Sequence, residues 1–224
     1  MMNISLAKPD EVPARVKEDK LGVAVRYSSY LRSGNVLFLG VTGSVSYTPR
    51  EEDDVDRFLI SRNHSLWVSL FRAYFTRTIS GSKDICLSLN MDLSYAKYLF
   101  STSNDPLMAS DSVHVIPLLG KDVYSGLLSL SEYIMQKYPD RADGSPGWID
   151  RTSPNLFSCL ANYLFFITLG PLVMIKAMVI NWARKGRREE MTYRTVIGRH
   201  CLFYDNLKYA IIRERYYRED GNHA

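Results

Sequence analysis

The longest uncharged stretch of this sequence constrains the fold more than any other feature. No charged residue occurs from Ser153 through Ile175, and the next residue, Lys176, carries the first charge. Ser153 followed by Pro154 is a typical helix start, because serine caps the first amides and proline fits the first turn. Gly170-Pro171 interrupts the run, since proline lacks the amide hydrogen that an inner helical position donates. The sequence therefore predicts either one kinked helix or two shorter helices.

Three placements of this stretch are compatible with its composition. A single helix from Pro154 to about Ala183 would be roughly 45 Å long, enough to cross a hydrocarbon core of about 30 Å. Two helices that meet at Gly170-Pro171 would each be too short to span and would belong to a protein core. The third placement is a helix that lies in the membrane surface. The charge of Lys176 disfavours a span, because a buried charge is costly in lipid.

A cluster of cations lies directly after this stretch and consists of Arg184, Lys185, Arg187 and Arg188. Near an anionic leaflet each basic residue contributes about 1 kcal/mol to binding. We therefore predict that these four residues form one anionic-surface contact. Glu189 and Glu190 follow immediately and weaken its field, so we expect the binding to be modest and sensitive to salt.

The region after this cluster is rich in basic residues that alternate with tyrosines. Cations combined with aromatic rings can contact phosphates and stack on bases. The sequence therefore also predicts a nucleic-acid contact, which would use Arg194, Arg199, Lys208, Arg213, Tyr216 and Tyr217. A solvated helix face with pairing between opposite charges is the simpler interpretation of the same pattern.

Alternation of apolar and polar residues from Ile85 to Tyr95 predicts a strand that is buried on one face only. Because this alternation is uninterrupted, we expect the strand at or next to the centre of the sheet. Further strands are predicted at 21–31, 36–47, 113–119 and 191–197. A hairpin turn at 32–35 would join the first two of these, and Pro117 would place the third near an edge, because proline cannot donate to a neighbouring strand.

Capping residues and apolar spacing predict the helices, and a run of polar residues at 103–111 predicts a loop. The helices are expected after a capping box at Thr48–Glu51, from about Leu66, after Asp122 and after Asp205. The fold class is therefore α+β: an antiparallel sheet of four or more strands with helices packed on one face, followed by a helical basic carboxy-terminal part.

The expected organisation has four parts. Residues 1–20 form a flexible amino-terminal arm, because prolines are mixed with charged residues there and the apolar residues show no periodicity. Residues 21–138 form the sheet-bearing core, and residues 139–152 form a linker rich in turn-forming residues. Residues 153–224 hold the apolar helical stretch and the basic carboxy-terminal region.

Catalytic and metal-binding signatures are absent from the sequence. The three cysteines form no CxxC motif, and no two histidines have the spacing of metal ligands. There is no GxSxG, HExxH, GxGxxG or phosphate-loop motif. His200 and Cys201 are neighbours in a predicted strand, so their side chains would point apart and we predict that they are not a catalytic pair. We expect no catalytic residue, no metal and no cofactor.

These observations favour a non-catalytic interaction or scaffold protein that acts at an anionic membrane surface, with a matrix-like role as one form of the hypothesis. The net charge of +4 permits anionic partners. The amino-terminal residues lack the apolar core of a secretory signal, so we expect a cytoplasmic protein, peripheral on a membrane. The expected partner is that membrane surface or another protein. A nucleic-acid-binding protein is the alternative, and an enzyme with dispersed active-site residues is the second alternative.

Overall fold

The computed structural model of the 224-residue chain describes residues 11–82, 84–142, 156–186 and 193–206. Within these ranges the chain is a mixed α/β protein with one six-stranded, mostly antiparallel sheet and seven α-helices. The strands are β1 Val36–Thr42, β2 Val55–Ser61, β3 Ile85–Asp92, β4 Ile116–Leu119, β5 Tyr193–Ile197 and β6 Cys201–Asn206. The helices are α1 Glu11–Leu31, α2 Leu66–Ser80, α3 Leu93–Thr102, α4 Pro106–His114, α5 Lys121–Leu128, α6 Glu132–Lys137 and α7 Leu156–Gly186.

The strands lie in the order β4-β1-β2-β3-β6-β5. Strands β2 and β3 run parallel, and every other neighbouring pair is antiparallel. A parallel pair requires a crossover connection, and here α2 supplies it. The carboxyl ends of β2 and β3 therefore meet at the same edge of the sheet.

Helices cover both faces of the sheet, which corrects the expectation that they pack on one face. Helices α1, α2 and α7 share one apolar core with the sheet, and α3, α4, α5 and α6 share a second core. Neighbouring residues of β2 divide between the two cores: Leu59 belongs to the first, whereas Phe58 and Ile60 belong to the second. Because successive side chains of a strand point to opposite faces, an interior strand buried on both sides has few polar positions.

The prediction for β3 is confirmed in its position and corrected in its pattern. The strand lies inside the sheet, between β2 and β6. It ends at Asp92 because this side chain accepts a hydrogen bond from the Tyr95 amide and so caps α3. The face expected to be wet is partly closed, since Asn90 and Asp92 are both fully buried.

Several other elements also agree with the sequence. Strands lie within 36–47, 113–119 and 191–197, and the second of these, β4, is an edge strand as Pro117 predicted. A helix begins at Leu66 as expected. The helix expected after Asp122 is α5, but Gly120 is its cap and Asp122 lies in the first turn.

The strand predicted at 21–31 is wrong, because these residues form the second half of α1. The buried positions are Ala24, Tyr27 and Leu31, whose spacing of three and four residues is that of one helix face. The turn at 32–35 therefore follows a helix instead of joining a hairpin. The predicted arm overlaps α1 over residues 11–20, and residues 1–10 lie outside the described residues.

Two further predictions are corrected by local hydrogen bonding. No helix follows Thr48; the Asp53 side chain instead accepts from the Arg50 amide in a turn, and β2 begins at Val55. The loop predicted at 103–111 is largely α4, which Asp105 caps by accepting from the Leu107 amide. Asp205 lies within β6, and the helix expected after it falls on residues 207–224, which lie outside the described residues.

A carboxyl group on β2 makes the stability of this fold depend on pH. Burial raises the pKa of Asp56 to about 6, against the lowering effect of hydrogen bonds with Cys86 and Ser88. The unfolded carboxyl titrates near 3.9, so the folded state holds its proton to higher pH. Stability is therefore lost as the pH rises from about 4 to about 6, by at most about 3 kcal/mol.

Asp56→Asn is expected to remove this loss. Urea unfolding between pH 4 and pH 7 should show the variant gaining stability over the parent as the pH rises. The control is Asp140→Asn, since the Asp140 side chain is exposed and is not among the charges that shift the pKa of Asp56, so its replacement should leave the pH slope of the parent unchanged. A parallel pH dependence of parent and Asp56→Asn would contradict the prediction.

Candidate functional site

A group of polar residues meets where the parallel strands β2 and β3 end. The carboxyl ends of parallel strands are the usual place for ligand sites in α/β sheets. The loop after β2 carries Asn63 and His64, and β3 ends at Asp92. Because β6 runs antiparallel to β3, the turn before β6 brings Arg199 and His200 to the same edge.

Asp92 and His200 form the centre of this group. The Nδ1 atom of His200 lies 2.5 Å from Oδ2 of Asp92, and the Asp92 carboxylate is fully buried. The same carboxylate accepts from the amide of Tyr95 at 3.1 Å and from that of His64 at 3.5 Å. A buried carboxylate needs such donors. They fix the carboxylate, which in turn fixes the ring of His200, whose side chain is 37% exposed.

His64 stands beside this pair in a strained backbone conformation. Its φ of +56° makes it the only non-glycine residue with a positive φ among the described ones. Conformations of this kind are costly and concentrate at functional sites. Its Nδ1 lies 3.4 Å from Nη2 of Arg199, and its ring centre lies 5.6 Å from that of His200. Since a guanidinium only donates, His64 Nδ1 accepts and the ring proton lies on Nε2.

Side-chain hydrogen bonds hold the loops of the site in place. Asn63 Oδ1 accepts from both the amide and the hydroxyl of Ser94, which joins the loop after β2 to the start of α3. Trp67 Nε1 donates to the Gly198 carbonyl at 3.1 Å, which fixes the turn between β5 and β6. The Arg199 guanidinium lies 5.9 Å from the ring centre of Tyr163 on α7. The site therefore borders the long apolar helix.

The thiol of Cys201 does not share in this arrangement. Cys201 is buried, and burial raises the pKa of its thiol against the lowering effect of a hydrogen bond with Tyr95. The ring of His200 pairs with Asp92 instead, in line with the expectation that His200 and Cys201 are not a catalytic pair.

The second candidate surface is α7 itself, a single helix of 31 residues with Pro171 inside it. A narrow stripe at helical spacing faces the body of the protein and consists of Asn162, Gly170, Val173 and Ala177. Asn162 Oδ1 accepts from the Trp67 amide at 2.7 Å, and the ring of Phe165 stacks on Phe71 of α2. These contacts attach the helix along one side.

The remaining surface of α7 is apolar and open. Within Leu156–Ala183 the most apolar window of 18 residues has a mean hydropathy of 2.0, and only 11% of that window is buried. By length and composition it could cross a membrane. The structure has one continuous helix here instead of two short ones, and most of this window is exposed among the described residues.

The structure places only some of the residues that the sequence singled out. Arg184 and Lys185 lie in the last turn of α7, and Arg194 lies in β5. Arg199 is brought to the Asp92–His200 pair. The other predicted contacts lie outside the described residues: Arg187, Arg188, Lys208, Arg213, Tyr216 and Tyr217. In the part of the chain that the structure describes, no group of three or more His, Cys, Asp or Glu residues is arranged to hold a metal ion.

No protein-family model matches this chain, and no curated protein or solved structure is significantly similar to it. Its function therefore has to be inferred from the geometry of these two surfaces.

Proposed function

We propose that the protein is a peripheral membrane protein, acting as an interaction or scaffold protein, that rests on an anionic bilayer through α7. The helix lies in the plane of the membrane and inserts its outer face among the lipids. The observation that carries this proposal is the set of exposed apolar side chains along α7. This set includes Leu156, Phe157, Leu160, Leu164, Ile167, Leu172, Met174, Ile175, Met178, Val179 and Trp182.

The contacts of α7 favour an in-plane helix over a spanning one. Its buried stripe extends from Asn162 to Ala177, which is roughly 22 Å of helix held against the body. A span would carry α2 into the hydrocarbon together with the exposed Arg72. A charge there costs at least about 2.5 kcal/mol. With the helix in the interface, the body stays in water and only the outer face meets lipid.

Neighbouring side chains extend the same apolar surface. Phe71, which stacks on α7, is itself exposed, as are Phe75 and Ile79 further along α2. At the other end Trp182 is 80% exposed, next to the basic residues that follow it. Tryptophan prefers the boundary between headgroups and acyl chains, and arginine and lysine prefer the anionic headgroups.

Apolar insertion is expected to dominate the binding energy. The four cations at 184–188 contribute roughly 4 kcal/mol at low salt. Each fully inserted leucine, isoleucine or phenylalanine adds about 1.5–3 kcal/mol, which salt does not screen. Binding should therefore weaken at high salt without disappearing.

The test is sedimentation with vesicles of anionic or neutral lipid, at low and high salt. The double variant Ile167→Asp/Ile175→Asp should lose at least 100-fold in affinity, since both side chains are exposed and now place charges in lipid. Replacing Arg184, Lys185, Arg187 and Arg188 by alanine should remove only the salt-sensitive part. The control is Tyr98→Asp on α3, which is exposed on another helix. Binding of the double variant equal to that of the parent, or no binding by the parent at low salt, would sink the proposal.

Nucleic-acid binding through the basic, tyrosine-rich carboxy-terminal region is the alternative proposal. The specific observation in its favour is that Arg199 is exposed at the end of the sheet. In that case the chain would bind an oligonucleotide with strong salt dependence, and the α7 double variant would bind it like the parent.

A further inference from the structure

We propose that Asp92, His200, His64 and Arg199 form an acid–base site that hydrolyses carboxylic esters with water as the nucleophile. We call these four residues the histidine site. The inference goes beyond membrane association and replaces the non-catalytic expectation. It stands on the side-chain geometry at the ends of β2, β3 and β6, and it does not depend on what α7 binds.

His200 is the general base of this site. Its Nδ1–H donates to Asp92, so the lone pair lies on Nε2, which can accept a proton from water. The buried Asp92 is a positioning residue, because it holds the ring in this tautomer and stabilises the imidazolium that forms. A solvated imidazole has neither the fixed orientation nor the fixed tautomer.

Arg199 and His64 supply donors for the developing negative charge. Because His64 Nδ1 accepts from Arg199, the Nε2–H of His64 is a donor at the same edge as His200. A guanidinium retains further N–H groups after this contact. Two such donors suit the oxyanion of a tetrahedral intermediate.

The positions of the protons favour a carboxylic ester over a phosphodiester. In-line displacement at phosphorus benefits from a second, protonated acid on the leaving side, whereas Nδ1 of His64 faces a guanidinium, which only donates. Acyl transfer needs only one base that later returns its proton. The geometry therefore fits one histidine that acts first as a general base and then as a general acid.

The reaction balances with water as the only co-reactant. His200 Nε2 takes a proton from water while the water oxygen bonds to the carbonyl carbon, and the carbonyl electron pair moves onto oxygen. When the intermediate collapses, the bond between carbon and the alcohol oxygen breaks. That oxygen takes the proton from His200, which yields a carboxylic acid and an alcohol.

Direct attack by water follows from the contacts of the neighbouring nucleophiles. The Ser94 hydroxyl donates to Asn63 Oδ1 at 2.7 Å. The Cys201 thiol is buried and interacts with Tyr95. Neither group is hydrogen-bonded to His200 in the described part of the chain, whereas a nucleophilic mechanism requires that bond.

The full chain is assayed with p-nitrophenyl butyrate in solution and with a fluorogenic acyl ester in anionic vesicles. His200→Gln should lower kcat/KM for the soluble ester by about 100-fold or more, since general acid–base catalysis contributes about 10²–10⁴. Glutamine can still donate to Asp92, so the fold should be kept, as urea unfolding verifies. Arg199→Gln should lower kcat about 10-fold or more with KM little changed, as expected for a donor used in the transition state.

The matched control is His114→Gln, because His114 is an exposed histidine on α4 whose Nδ1 bonds only the Ser110 carbonyl among the hydrogen bonds described for it. It should keep the activity of the parent within about twofold. The parent failing to hydrolyse either ester, or His200→Gln retaining its rate, overturns the proposal. A stoichiometric burst of p-nitrophenol overturns the direct attack by water.

A further comparison separates this proposal from the membrane proposal. Ile167→Asp/Ile175→Asp should hydrolyse the soluble ester like the parent, since both side chains lie outside the histidine site. If the double variant no longer hydrolyses the ester in vesicles, the substrate reaches the histidine site from the membrane. If both esters remain substrates, the histidine site acts on soluble esters and α7 has another partner.

Discussion

Replacement of Gly120 by alanine is expected to destabilise the protein by about 2–5 kcal/mol. Gly120 caps α5 with a φ of +70°, a conformation that costs an L-residue roughly 1–2 kcal/mol. A Cβ atom built there would lie 1.9 Å from the backbone carbonyl oxygen of Leu37 in β1. Backbone cannot yield as a side-chain end can, so overpacking adds about 1–3 kcal/mol. The melting temperature should fall by roughly 4–20 °C.

Gly81→Ala is the matched control for this effect. Gly81 ends α2 with a similar φ of +63°, but no atom lies within 4 Å of its added Cβ. It should lose only about 1 kcal/mol, from conformation alone. Thermal unfolding of both variants therefore separates the cost of the backbone conformation from the cost of the steric clash of the added Cβ. Equal losses would contradict the close approach of α5 to β1.

Trp67→Ala is expected to lower the unfolding free energy by about 3–5 kcal/mol. The indole is fully buried, its ring packs on Phe166 of α7, and its Nε1 donates to Gly198. The substitution opens a cavity between α2 and α7 and leaves the Gly198 carbonyl without its donor. It should also loosen the turn that carries His200, so ester turnover should fall even where the variant is folded.

Trp182→Ala serves as the control, because this tryptophan is 80% exposed on the outer face of α7. Its replacement should change stability by less than about 0.5 kcal/mol while weakening vesicle binding. In the expected case, urea unfolding shows the loss of stability in Trp67→Ala, and vesicle sedimentation shows the loss of binding in Trp182→Ala. If Trp182→Ala unfolds as easily as Trp67→Ala, the outer face of α7 is covered by protein.

Local patterns predicted the elements whose burial follows a simple period. Strand β3 alternates, and the apolar face of α2 begins where its spacing begins, at Leu66. The pattern failed at α1, where valines and tyrosines, which favour strands, occur in a helix. It failed again at β2, because Asp56 and Arg57 interrupt a strand that is nonetheless buried. The Arg57 guanidinium lies inside the fold over the ring of Tyr27, a contact that the spacing of residues in the sequence does not predict.

The candidate site could not be read from the chain, because its parts come from three separate segments. His64 follows β2, Asp92 ends β3 and His200 precedes β6, and no local motif joins them. Their proximity results from two facts of topology, namely that β2 and β3 run parallel and that β6 runs against β3. The apolar stretch of α7 was visible in the sequence, but which of its sides meets the body depends on Asn162 and its bond to Trp67.

The strand order also determines when β3 becomes paired during translation. Strand β6 inserts between β3 and β5, so β3 is the edge of the sheet until the last part of the chain has been made. Asp92 and His200 are 108 residues apart in sequence, which a ribosome needs roughly 5–20 s to translate. During that interval β3 presents an unpaired edge, the kind of surface that promotes association between incomplete chains. The histidine site is therefore complete only in chains that extend through β6. A chain that ends earlier would expose the unpaired edge of β3 and would lack this site.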